Sequence, residues 1–297
     1  LNDPVSKFVP EFADLKVLNE DGAMVPAEKT MTMHHLLTHT TGLSYGFNPA
    51  GDMIDKYYKD ANIWDAKDLD DFASIVAKLP LKFEPGNKWH YSIAVDITGL
   101  IVQRLSGMPF DQYLQKNIFD PLDMKDTFFE VPKNKADRFL PNHYWDAQNN
   151  KLATIKEDSD SAMRNYHQVS LHSGGGGLVS TAMDYMKFAE AMRKGGISSG
   201  KRILGEKTVK FMAKNHLPGS ISTSGVGESP LAAAEQRGFG FGLGFGVITD
   251  AIKNGVMGSD GEFNWGGAAG TVFWIDPVEE IVVVGMIQLM GSPWTLR

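Results

Sequence analysis

Phe83-Glu84-Pro85-Gly86-Asn87-Lys88-Trp89-His90-Tyr91-Ser92-Ile93 is the stretch on which the reading of the whole chain turns. Pro85-Gly86 is a turn that stops the segment before it, and a short polar run then leads to Tyr91. Beyond it Ile93, Ile97, Leu100, Ile101 and Leu105 recur at roughly three- and four-residue spacing, which predicts an amphipathic helix. Tyr91 therefore stands at a helix entrance, where outward-pointing backbone N–H groups stabilise an anionic oxygen. The residues leave two readings open. With a cation close enough to lower its pKa from about 10, the phenol is a general base. Otherwise Tyr91 is a packing aromatic with a wet hydroxyl.

The bulk properties narrow the classes. A chain of 297 residues with 42% hydrophobic content suits one large or two intermediate domains with a substantial core. A formal charge of −7 argues against nucleic acid, which wants a basic face. No run approaches about 18 consecutive apolar residues, so no transmembrane segment is expected. There is no cysteine, which removes disulfides and thiolate chemistry but fits either redox compartment. The 31 glycines are bunched, pointing to tight turns and close backbone approach. Leu1-Asn2-Asp3-Pro4-Val5 is neither a start methionine nor a signal peptide, so the chain is read as beginning in mid-domain. Its last residues, 291–297, give no helix stop and are read as a second cut.

Outward from the Tyr91 stretch, Thr32 is placed as the cap of a short helix and Gly42 as a left-handed turn that ends the unit. His35 and His39 are four residues apart, but no carboxylate or third ligand completes a metal set. No metal and no cofactor are therefore expected, and structural or hydrogen-bonding histidines are preferred. The aromatic segment 44–66 either lines a pocket or simply packs. A helix is predicted over 68–79, with Leu69, Phe72, Ile75, Val76 and Leu79 on one stripe, and another from Pro109. Residues 126–172 read as loop-rich and polar, with Asp158-Ser159-Asp160-Ser161 solvated.

Ser173-Gly174-Gly175-Gly176-Gly177 marks a backbone that passes close to something; it lacks the Lys-Ser/Thr of a phosphate loop and takes a structural reading. Thr181 and Asp184 then open a helix that Gly195-Gly196 closes. A short helix over 206–213 and a Gly/Ser loop over 219–229 follow. Phe239-Gly240-Phe241-Gly242-Leu243-Gly244-Phe245-Gly246-Val247 alternates strictly and is read as one strand with glycine on one face. Val272-Phe273-Trp274-Ile275 and Ile281-Val282-Val283-Val284 flank Asp276-Pro277-Val278-Glu279 as an antiparallel hairpin. The class is α+β. The expected domains are residues 1–30 as the N-terminal part of an α/β domain, 31–172 as a mainly helical subdomain, and 173–297 as the rest of the α/β domain with its C-terminal antiparallel strands.

Four of these pieces, in order, resemble the serine β-lactamase-like superfamily: Leu36-Leu37-Thr38-His39-Thr40-Thr41-Gly42-Leu43, Phe83-Glu84-Pro85-Gly86 running into Tyr91-Ser92, Gly175-Gly176-Gly177-Leu178-Val179-Ser180-Thr181, and Trp265-Gly266-Gly267-Ala268-Ala269-Gly270-Thr271. Together they span nearly the whole chain. They look most like the family VIII carboxylesterases, which are similar to class C β-lactamases. The resemblance implies a β-lactamase/penicillin-binding-protein-like fold, an antiparallel sheet flanked by helices with a helical subdomain. It implies hydrolysis of a small-molecule ester through an acyl-enzyme, by a Ser-x-x-Lys nucleophile, a Tyr-x-Asn base motif and a Lys-Thr-Gly-type strand. Tyr91 takes the tyrosine role. Trp265, Gly266 and Gly267 occupy the Lys-Thr-Gly strand, and the Ala268 N–H is one oxyanion-hole donor.

Three departures bear on function. Ile93 stands where β-lactamases usually carry asparagine. Trp265 replaces the lysine that would meet a β-lactam carboxylate, which favours neutral, apolar acyl or alcohol groups. Ser198-Ser199-Gly200-Lys201 fits Ser-x-x-Lys only by letter, in a Gly-rich hairpin-like loop after a helix, so the nucleophile is expected upstream of residue 1. A β-lactamase or D-amino-acid peptidase of the same fold, and a non-catalytic binding protein that kept it, remain the alternatives. Oligomerisation is open.

Overall fold

The computed structural model describes residues 1–19, 21–156, 165–219, 221, 223 and 238–291. The solvated stretch expected at 158–161, most of the expected 219–229 loop and the chain end beyond 291 lie outside the described residues. The elements in order are β1 (Lys16–Leu18), β2 (Met24–Pro26), α1 (Met33–Leu37), α2 (Met53–Asp60), α3 (Leu69–Val76), α4 (Ala94–Ser106) and α5 (Phe110–Leu114). Next come β3 (His143–Asp146), β4 (Lys151–Thr154), α6 (Ala182–Arg193), β5 (Ile197–Ser198), β6 (Lys201–Arg202) and α7 (Glu206–Met212). The series ends with β7 (Phe239–Phe241), β8 (Gly246–Ile248), α8 (Ala251–Asn254), β9 (Phe263–Gly266), β10 (Val272–Asp276), β11 (Ile281–Gly285) and β12 (Leu289–Met290). Among the described residues no helix is long and apolar enough to cross a membrane.

Two compact units divide the chain. The first combines Leu1–Tyr113, Ser170–Gly177 and Met212–Met257. Its centre is α4, against which α1 and α3 pack. Leu36, Phe72, Ile93, Ile97, Leu100 and Ile101 are all buried there, so the stripe read from the sequence is the packing face as far as Ile101, whereas Leu105, expected on it, is 66% exposed in the last turn. Thr32 caps α1 as expected: its hydroxyl accepts the His35 N–H at 3.4 Å, while His35 Nδ1 accepts the Thr32 N–H at 3.2 Å. The histidine takes the place that a glutamate has in the usual reciprocal cap. Asp68 caps α3 by accepting the Asp71 N–H at 2.8 Å. This helix ends at Val76, three residues short of the expected Leu79, because Lys78 and Leu79 donate to carbonyls three positions back and tighten the last turn. Arg104 on α4 reaches Glu11 at 2.7 Å and Asp70 at 2.5 Å, so one fork joins the N-terminal segment to α3. Gly107, at φ 66°, closes α4.

The expected single strand over 239–247 is instead two strands. β7 and β8 pair antiparallel, Phe241 opposite Gly246, and Gly242 N–H donates to Phe245 O at 2.7 Å across the turn. Gly244 sits at φ +95°, which a side chain would strain. Alternation of Phe and Gly reads the same in a straight strand and in a hairpin whose turn falls on the glycines, so periodicity alone misses the reversal.

The second unit combines Leu114–Val169, Leu178–Phe211 and Gly258–Arg297. Here β9, β10 and β11 form an antiparallel meander, with Trp265 opposite Phe273 and Ile275 opposite Val282. α6 lies across β10 and β11. The hairpin expected over 272–284 is present, and Asp276 fixes its turn by accepting the Val278 and Glu279 N–H groups at 2.9 and 3.1 Å. Thr181 caps α6 through the Asp184 N–H at 3.2 Å, and Gly195 and Gly196, at φ 67° and 87°, end it. Within 126–172, read as loop, β3 and β4 pair antiparallel and β12 adds to β3 in parallel. β4 is mostly exposed, so it carries little of the apolar alternation that betrays a strand. The fold is α+β, as expected.

Candidate functional site

Tyr91 lies in the first unit, two positions ahead of Ile93, the N-cap residue of α4. Its half-buried ring meets His39 edge-on at a centroid distance of 4.9 Å and Tyr45 at 5.0 Å. Tyr45 in turn stacks on Phe47 at 4.8 Å and on Trp64 at 6.0 Å. The segment 44–66, left open between pocket lining and packing, thus places a run of rings outward from Tyr91, ending on Phe47, whose ring is exposed. Ile93 is fully buried, so the position where β-lactamases usually carry asparagine serves here as core.

The glycine cluster folds against the start of α4. Asp96, in the helix's first turn and buried, accepts from the Ser173 hydroxyl and from the Gly175 N–H at 3.1 Å. A side chain at Gly174 would strike the Val95 carbonyl, and one at Gly175 would strike the Tyr45 hydroxyl and the Asp96 carboxylate. The structural reading of the glycines identified the close approach but not its object, which is the helix that follows Tyr91. Asp96 is not singled out by the sequence, which also gives Tyr45 only as part of the aromatic segment 44–66, with no link to the glycines. An aspartate three residues into a predicted helix is an ordinary dipole partner, and nothing local marks it as a loop anchor.

The paired-histidine spacing dissolves in three dimensions. α1 stops at Leu37 and His39 adopts φ 53°, so His35 and His39 do not share a helical face. His35 Nδ1 serves the cap, whereas His39 Nδ1 accepts the Ser92 N–H at 3.2 Å. Burial pushes the imidazoles of His35 down to about 4 and His39 down to about 3, with nearby positive charge adding to each. Among the described residues no cluster of His, Asp and Glu could hold a metal ion.

Ser44, His90 and Asp55 have the residue types of a hydrolase triad but not its order. The Ser44 hydroxyl donates directly to Asp55 at 2.5 Å, and His90 Nε2 stands 3.4 Å from the same oxygen. Carboxylate and imidazole both face the hydroxyl, so no base is oriented by a third group. Lys82 closes the set at 2.7 Å from both Asp52 and Asp55. Desolvation would raise the Asp55 carboxyl, but hydrogen bonds from Lys82, Ser44 and the Asn48 N–H together hold it below its ordinary value. With Ser44 buried, this is a satisfied internal network.

Trp265, Gly266, Gly267 and Ala268 belong to the second unit. Trp265 and Gly266 end β9, paired with Phe273 and Val272. Gly267 N–H donates to Thr271 O at 2.8 Å, and Gly270 N–H donates to Gly267 O at 3.0 Å. A tight turn results, with Gly270 at φ +81° and Ala268 exposed at its first central position. The amide at that position lies outside the turn's own hydrogen bond. Ser198 and Lys201 face each other across the β5–β6 hairpin, whose turn residues Ser199 and Gly200 have φ 46° and 76°. Neither lies on a helix.

Comparison with known proteins places this architecture. Protein Rv1367c of Mycobacterium tuberculosis is 31% identical over 304 residues, covering 97% of this chain and 71% of that protein. Esterase EstB of Burkholderia gladioli is 28% identical over 295 residues, 93% of this chain and 67% of its own. Among solved structures, EstCE1, described as a hydrolase with promiscuous acyltransferase activity, superposes with a TM-score of 0.75 at 25% identity, covering 98% of this chain and 74% of its own. Simvastatin synthase (LovD) from Aspergillus terreus reaches 0.80 at 24% identity, covering 99% and 73%, a likeness of fold. The Beta-lactamase family matches residues 1–296, and on that match this chain belongs to the family, as an enzyme of the β-lactamase and penicillin-binding-protein-like fold.

Proposed function

We propose that the protein hydrolyses carboxylic esters through an acyl-enzyme. The supporting observation is Trp265, the next-to-last residue of β9, at the position where the family pattern has a lysine. An aromatic side chain there offers no charge to a substrate carboxylate and suits a neutral, apolar group. Tyr91 acts as general base on a serine of a Ser-x-x-Lys motif, expected ahead of residue 1. The serine oxygen attacks the ester carbonyl, and the Ala268 N–H stabilises the tetrahedral oxyanion. Collapse breaks the ester C–O bond, and Tyr91 returns the proton to the departing alkoxide, which leaves as the alcohol. Water then takes the acyl group, releasing the acid and restoring the serine. An alcohol in place of water would give acyl transfer, a reading favoured by relatives such as acyltransferase calJ of Penicillium decumbens, 26% identical over 327 residues.

The test uses the full-length protein. It should turn over p-nitrophenyl acyl esters much faster than nitrocefin, and a fluorophosphonate should give a single adduct on a serine ahead of residue 1. Faster nitrocefin turnover would favour the β-lactamase alternative. Neither turnover nor adduct would favour a binding protein, and an adduct on Ser198 would demand another nucleophile.

Trp265→Ala tests the wall separately. It should shift the preferred acyl chain length while leaving activity toward a small activated acetate nearly intact, since each methylene of a longer chain packed on the wall is worth about 1–3 kcal/mol and acetate has none to lose. Equal losses on short and long esters would remove Trp265 from substrate selection.

A further inference from the structure

His39 holds both backbone amides that flank Tyr91. Its own carbonyl accepts the His90 N–H at 2.9 Å, and its Nδ1 accepts the Ser92 N–H at 3.2 Å. The imidazole therefore takes the place of a second backbone carbonyl, and Tyr91 is suspended between two fixed points. The Ser92 hydroxyl stands 3.4 Å from the same nitrogen. A ring nitrogen that accepts an amide proton is unprotonated, so in the neutral imidazole the proton is on Nε2. Burial enforces that neutral state.

The ring cannot turn away. It is 2% exposed and is met edge-on by Trp89 at 6.0 Å, Tyr91 at 4.9 Å and Phe241 at 5.4 Å. Trp89 and Phe241 are themselves buried and pack on each other at 5.5 Å. The backbone at His39 is left-handed, a conformation that costs a residue with a side chain and persists where the surroundings over-determine it. That turn of the chain sends the carbonyl and the imidazole to the same short segment. A histidine that served only to fill the core would need neither the strained φ nor the amide acceptor.

We propose that His39 is a positioning residue that sets the Tyr91 phenol by clamping the amides on either side of it; this rests on the reading of Tyr91 as the general base. His39 touches no reacting atom and acts only through Tyr91. A base displaced by about 1 Å loses rate steeply, up to about 100-fold, while substrate binding made elsewhere is untouched.

The experiment is a set of variants in the full-length protein, each checked for folding by circular dichroism and assayed on one p-nitrophenyl ester. His39→Phe keeps a ring but removes the acceptor. It should lower kcat by between about 10- and 100-fold with KM little changed. His39→Asn tolerates the left-handed backbone and offers Oδ1 near the place of Nδ1, so it should return most of that rate. In a Tyr91→Phe background, His39→Phe should cost almost nothing more, because the two act as one unit. Full activity in Tyr91→Phe alone would sink the general-base reading. A low rate there, with His39→Phe folded and unimpaired or equally damaging in both backgrounds, would overturn only the assignment of His39. Should His39→Phe not fold, the comparison passes to His39→Asn against His39→Gln, whose acceptor is one bond too far out. Equal kcat in those two would overturn it.

Discussion

Tyr91→Phe should lower kcat for ester hydrolysis by about 10²–10⁴, the range for loss of a positioned general acid–base. The substitution removes one oxygen and leaves the ring. The contacts with His39 at 4.9 Å and Tyr45 at 5.0 Å are made by rings and do not depend on the hydroxyl. These ring contacts should therefore survive the substitution, and melting temperature gives the control for folding. KM should move little, because the lost proton transfer belongs to the transition state. Steady-state kinetics on an activated and an unactivated ester separate the steps further. The unactivated ester, with its more basic leaving group, should suffer more. Near-wild-type turnover of both would leave Tyr91 as a packing aromatic.

Acid should destabilise the protein well above the carboxylate range. The His39 imidazole is pushed down to about 3 by burial and by the neighbouring charge of His90, from an ordinary value of 6.5. Between those two values the unfolded chain binds a proton that the folded chain refuses. Stability is therefore complete above 6.5 and falls as pH drops through that window, by about 1.4 kcal/mol per pH unit for this one group. His35 and His90, each pushed down to about 4 chiefly by burial, act with the same sign between 6.5 and that value, more weakly because solvent reaches them. Asp55, held below its ordinary 3.8, adds a loss of the same sign only at lower pH. Unfolding free energies from urea titrations at about pH 7 and about pH 4.5 should differ by an amount to which His39 alone contributes about 2.7 kcal/mol, two pH units below its ordinary value. The difference should shrink in His39→Asn, which has nothing to titrate there. Equal free energies would mean that His39 is protonated in place, and the neutral acceptor at Ser92 would go with it.

The signals legible in the amino-acid sequence share one property: they act over a few residues. Thr32 caps α1 through a partner three positions on, Gly107 and Gly195 end helices at their own φ, and Asp276 turns its hairpin within two and three residues. The stripe from Ile93 to Ile101 is likewise local, and it is the buried face of α4. Where local signals are equivocal, the sequence misleads. Phe-Gly alternation describes β7 and β8 as well as one long strand, and β4 hides its strand character behind an exposed surface.

By itself the sequence determined the α+β class, the helix that follows Tyr91, the terminal hairpin and the family pattern, because caps, turns and periodicity are written in consecutive residues. Only the tertiary structure decided what surrounds Tyr91. The His39 clamp joins residues 53 positions apart, and the Asp96 anchor of the glycine loop joins residues 77 apart. A histidine's choice between metal ligand, cap and amide acceptor, and a glycine's choice of what to lie against, depend on groups brought near by chain folding. No spacing along the chain encodes them.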